Sequence, residues 1–121
     1  MKGKRIKVGI KDLKSVLDIV VRRETPLSGG GIVAEEKGTY FTSFEAFRKA
    51  LTPKRLELLH IIKAQTPSSI NELVRFAKRD VKNIADDVNY LEQIGLIQKK
   101  ETASKTAPVI TYDKIALEIA V

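Results

Sequence analysis

The chain has 121 residues, 43% of them apolar, which is enough for one compact core with a small appendage and too few for two full-sized domains. It contains no cysteine and a single histidine, His60, so disulfides, thiol nucleophiles and zinc fingers are excluded. With 22 Lys/Arg against 15 Asp/Glu, the net charge of +7 favours an anionic partner, nucleic acid first among them. The excess is spread along the chain: residues 1–43 hold nine cations against five acids, and residues 44–121 thirteen against ten.

No run approaches the ~20 consecutive apolar residues that cross a bilayer; the longest, Val16 to Val21, is interrupted by Asp18 and followed by Arg22 and Arg23. The cations Lys2, Lys4, Arg5 and Lys7 are not followed by a continuous apolar stretch with a cleavage site. A soluble, cytoplasmic protein is expected.

In chain order, Ile6, Val8 and Ile10 alternate as a strand does. Leu13, Val16, Leu17 and Val20 then fall at helical spacing, predicting a helix near 12–23 that Pro26 and Gly29-Gly30-Gly31 stop. Ile32 to Ala34 and Thr39 to Phe41, separated by Glu35-Glu36-Lys37-Gly38, read as two short strands joined by a turn. The front third is expected to be a β-α-β unit.

Three helix starts follow from side chains able to accept from otherwise unpaired N–H groups: Thr42 with Glu45, Ser69 with Glu72, and Thr52 before Pro53. Apolar spacing agrees, through Phe44, Phe47 and Leu51, then Leu56, Leu59 and Ile62 with Leu58 and Ile61, then Ile70, Leu73, Val74 and Ala77. Helices are predicted near 43–51, 53–65 and 69–78. A fourth is predicted from Val81, Ile84, Val88, Leu91 and Ile94, with Asp80 as its cap and Gly95 as the left-handed residue that ends it. Two helices joined by so short a turn form a helix-turn-helix. Leu96 to Lys100 and Val109 to Tyr112 read as a hairpin, or wing, with a polar tip, and Ile115, Leu117, Ile119 and Val121 alternate as a final strand.

The predicted architecture is α+β: a β-α-β extension over residues 1–42, a candidate dimerisation unit either alone or with the alternating tail, before a winged helix-turn-helix over 43–121. Leu51-Thr52-Pro53-Lys54-Arg55-Leu56-Glu57-Leu58-Leu59, Arg79-Asp80-Val81-Lys82-Asn83-Ile84, Leu91-Glu92-Gln93-Ile94-Gly95-Leu96-Ile97 and Tyr112-Asp113 resemble small prokaryotic winged helix-turn-helix transcriptional regulators. These are related in pattern to the MarR and ArsR groups, and some are described as antitoxin-like DNA-binding proteins. The resemblance spans about residues 41 to 121. It implies a homodimer on double-stranded DNA, with the 81–94 helix in the major groove and the 101–107 loop, including Ser104, Lys105 and Thr106, on phosphate or minor groove.

The residues allow this geometry. With Val81, Ile84, Val88 and Leu91 facing a core, Lys82, Asn83, Asp86, Asn89 and Tyr90 fall on other faces of the helix. Asn83 suits a bidentate contact to adenine and Lys82 a contact to guanine or phosphate, while Lys78, Arg79, Lys99, Lys100 and Lys105 suit phosphates. Asp86 and Asp87 depart from the pattern, because related helices often carry Arg, His, Ser or Thr there. Either Asp86 accepts from cytosine N4, or the two acids pair with Arg75, Arg79 or Lys82 and hold the turn.

Plainer readings stand beside these. His60 reads as a partly buried, hydrogen-bonded side chain, Phe44 and Phe47 as core, Tyr40 and Phe41 as core or dimer seam, and Tyr90 as a base contact or as cover for the rim of the core. No catalytic constellation, metal site or cofactor motif can be assembled, so an enzyme is not expected. The expected function is a sequence-specific regulator, most simply a repressor on an inverted repeat; a protein-interaction module of an assembly and an RNA-binding protein are the alternatives.

Overall fold

The first strand forms where its alternation predicts, although Val8, Gly9 and Ile10 are buried in succession. In the computed structural model, which describes residues 5–10, 32–35 and 38–119, the elements are β1 (Arg5–Ile10), β2 (Ile32–Glu35), β3 (Gly38–Phe41), α1 (Phe44–Ala50), α2 (Pro53–Gln65), α3 (Ile70–Ala77), α4 (Val81–Gln93), β4 (Gln98–Glu101), β5 (Thr106–Val109) and β6 (Lys114–Ile119). The protein is α+β. It divides into two compact units, Met1–Leu51 with Tyr112–Val121, and Thr52–Thr111. The helix expected near 12–23 lies outside the described residues. No helix among those described is long and apolar enough to cross a membrane.

In the first unit the strands run in the order β2-β3-β1-β6, with β1 parallel to both β3 and β6 and β2 antiparallel to β3. Their register sets Val8 beside Leu117 and Thr39, and Ile10 beside Ile119 and Phe41, on one face. Val8, Thr39 and Phe41 are buried at its centre, and Phe47 of α1 meets the Phe41 ring edge to face at 5.7 Å. On the other face Gly9 leaves room for the buried Tyr40: a Cβ at Gly9 would stand 2.7 Å from Tyr40 Cδ1. Tyr40 and Phe41 are therefore core.

The boundary expected at 42/43 is moved by this pairing. β6 lies in register along the whole of β1, and α1 rests on β3, so the tail and the first helix belong with the front unit. Two further details of α1 differ from expectation. Its cap is Ser43, whose Oγ accepts from the Ala46 N–H at 3.1 Å, rather than Thr42. Phe44 is 55% exposed, because a helical side chain leans toward its own N-terminus and this ring, on the first residue, overhangs the open end of a seven-residue helix. It retains contact with Phe47 at 5.9 Å.

The second unit comprises α2, α3, α4 and the β4–β5 hairpin. Each helix starts at the expected cap: Thr52 Oγ1 accepts from Arg55 N–H, Ser69 Oγ from Glu72 N–H, and Asp80 Oδ2 from both Lys82 and Asn83 N–H. The Glu72 carboxylate reaches back to the Ser68 N–H rather than to Ser69. α4 ends in a Schellman motif: Gly95 takes φ 87°, its N–H donates to Glu92 O, and Leu96 N–H donates to Leu91 O.

The buried rows are Leu58, Leu59 and Ile62 on α2, Leu73 on α3, and Ile84, Val88 and Leu91 on α4, continued by Ile94, Leu96 and Ile97. Leu56 and His60 are exposed, against expectation; both lie more than a quarter-turn from the centre of the Leu58–Leu59–Ile62 row. Val81 is 52% exposed, being the first residue of α4 as Phe44 is of α1. The hairpin strands are also displaced: Leu96 and Ile97 are both buried before β4 begins, and β5 ends at Val109. Two successive buried side chains are incompatible with a one-faced strand, so the hairpin starts only once the core has been crossed.

Candidate nucleic-acid interface

On α4 the row opposite Ile84, Val88 and Leu91 consists of Lys82, Asp86 and Asn89, all exposed, with exposed Asn83 and half-buried Tyr90 beside them. The five side chains expected to read a partner thus share the outer surface of one helix. The N-terminal turn of that helix is capped by Asp80.

The two acids separate completely. Asp87 is 13% exposed and bridges two arginines: Oδ1 accepts from Arg55 Nε of α2 at 3.1 Å, and Oδ2 from Arg79 NH2 in the α3–α4 turn at 2.8 Å. The Arg55 guanidinium also lies 4.1 Å from the Tyr90 ring centroid, a cation–π contact. Burial pushes the Tyr90 phenol above its usual range, and the Arg55 charge opposes this in part. One carboxylate thereby ties α2, the turn and α4 together. Asp86, one residue earlier, is exposed and forms no hydrogen bond or ion pair with the described residues.

The cations divide in the same manner. Arg79, only 20% exposed, is held by Asp87, and Lys99 of β4 donates to Asn89 and pairs with Glu92 at 3.2 Å, strapping the hairpin to α4. Lys78, in the left-handed region at φ 55°, caps α3 and is exposed. Lys82, Lys100, Ser104 and Lys105 are exposed and Thr106 is half-buried. The hairpin tip is closed by Thr102 N–H donating to Lys105 O at 2.8 Å. Ser104, Lys105 and Thr106 also line a shallow cleft with Ser69, Ile70 and Asn71 at the start of α3.

Sequence reasoning named Arg79 as a partner for the acids but not Arg55, and it did not foresee that Lys99 and Asn89 bind one another. The signal for Arg55 is non-local, since 32 residues separate it from Asp87. Among the described residues no three His, Cys, Asp or Glu side chains converge as metal ligands would.

Fold and surface together define the class as an α+β protein whose second unit presents a polar helix face braced by a basic hairpin. The chain belongs to the HVO_A0114 family, whose model matches residues 50–117, more than half its length. No curated protein and no solved structure matches it.

Proposed function

We propose that the second unit is a winged helix-turn-helix in which α3 and α4 are the paired helices, α4 is the recognition helix and the β4–β5 hairpin is the wing, and that the protein is a sequence-specific DNA-binding regulator. The observation that carries this is the division on α4: one face is fully buried, and the other holds Lys82, Asn83, Asp86 and Asn89 in solvent. A helix so anchored can enter the major groove, which is about 12 Å wide, without exposing its core. Lys78, Lys100 and Lys105 supply phosphate contacts, and Asn83 and Lys82 read base edges.

As a homodimer, the protein acts most simply as a repressor by occupying an inverted repeat whose half-sites lie about one helical turn, roughly 34 Å, apart. Selection of bound fragments from random duplex DNA tests this directly. A single enriched inverted repeat, bound with an affinity that falls steeply with salt, is expected. Uniform weak binding to every duplex would overturn it. That result would favour a protein-docking role for the same face, for which Asp86 at its centre, without a partner among the described residues, is the specific argument.

A further inference from the structure

The front unit ends its sheet on β6, the last strand in the order β2-β3-β1-β6, so one hydrogen-bonding edge of β6 has no partner strand among the described residues. Such an edge is a template for pairing with another strand. Two features of this one are specific. First, the apolar row on its inner face is unfinished: Val8 of β1 is wholly buried, but its neighbour in register, Leu117, is 44% exposed, and Ile119 is 51% exposed. Second, the other face carries opposite charges set symmetrically about a small residue, Lys114 and Glu118 around Ala116.

We propose that two copies of this chain pair through β6, antiparallel and edge to edge, about a twofold axis at Ala116. In that register Lys114 of each copy faces Glu118 of the other, and Ile115 faces Leu117, each contact occurring twice. Opposite charges and apolar pairs directly across an antiparallel ladder stabilise it. Parallel pairing of the same two edges in register would instead oppose Lys114 to Lys114 and Glu118 to Glu118, so the charge pattern selects the antiparallel arrangement. Glu118 also pairs with Lys7 of its own chain at 3.1 Å through Oε1, and a carboxylate has acceptor capacity for a second cation. This assigns the seam of the dimer in the reading above; it rests on that reading for the use of the dimer, while strand β6 alone carries the pairing.

Sedimentation equilibrium of the full chain, without DNA, tests it at about 1 to 100 µM. A reversible dimer is expected. Lys114→Glu should raise the dissociation constant at least about tenfold, since it sets acid against acid at both ends, and the double variant Lys114→Glu/Glu118→Lys should restore it. Because the protein has no cysteine, Ala116→Cys should form a disulfide-linked dimer on mild oxidation, whereas Glu101→Cys in the hairpin should not. A chain that is monomeric throughout, or a dimer indifferent to Lys114→Glu that fails to cross-link at position 116, would overturn the proposal. With no DNA present, these outcomes bear on the seam alone, and duplex selection bears on the DNA reading alone.

Discussion

Asp86 and Asp87 are neighbours with the same side chain, and their surroundings predict opposite consequences for their loss. Asp87 pairs with two partly buried guanidinium groups, so Asp87→Ala removes both the Arg55 and the Arg79 ion pair and should lower unfolding free energy by about 3 kcal/mol. Asp86→Ala removes nothing that another described residue contacts and should stay within about 0.5 kcal/mol. Chemical denaturation of the two variants decides this, and equal losses would contradict the bridge. Asn83→Ala, at the exposed start of α4, should cost about 1 to 3 kcal/mol on the preferred duplex, while Lys105→Ala should weaken binding to all duplexes alike. Fluorescence anisotropy on matched and scrambled fragments separates the two effects. Tyr112 is buried, and burial pushes its phenol far above its usual range. In the unfolded chain that phenol loses its proton near pH 10, whereas in the fold it retains it to higher pH. The unfolded state therefore binds fewer protons, and stability from this group, full below about pH 10, is lost as pH rises above it. Tyr112→Phe should make the alkaline fall in melting temperature shallower.

The helix ends depend on contacts within a few residues, which is why they could be read from the chain. Thr52, Ser69 and Asp80 each satisfy N–H groups two or three positions ahead, and Gly95 adopts the left-handed φ that its place after α4 requires. Gly95→Ala, which forces a Cβ into that conformation, should cost about 1 to 2 kcal/mol in chemical denaturation. The single misplaced cap is instructive. Thr42 and Ser43 are both competent acceptors, and only the phase that brings Phe47 onto Phe41 makes Ser43 the one that caps. Helical phase likewise placed Leu56 in solvent, and the position of Val81 on the first residue of α4 did the same for it, although the spacing of both suits a core. Spacing says which residues share a face; it does not say how far along that face the neighbouring element extends.

The chain leaves the front unit after α1, builds the second unit, and returns to complete the first sheet as β6. Truncation after Thr111 removes the strand paired along the whole of β1 while leaving residues 52–111 whole. Hydrogen exchange should then show protection lost at Arg5–Ile10 and kept at Ile84, Val88 and Leu91; loss in both regions would mean that the units do not fold separately.

The sequence by itself determined the α+β class, the existence of the four described helices, their approximate ends and the polar composition of the outer face of α4, because caps and periodicity are properties of short stretches of backbone. Only the tertiary structure decided that β6 belongs beside β1, that Arg55 meets Asp87, and that Lys99 and Asn89 bind each other. Those choices join residues far apart along the chain, where local spacing carries no information and where packing and charge pairing in three dimensions select the partner.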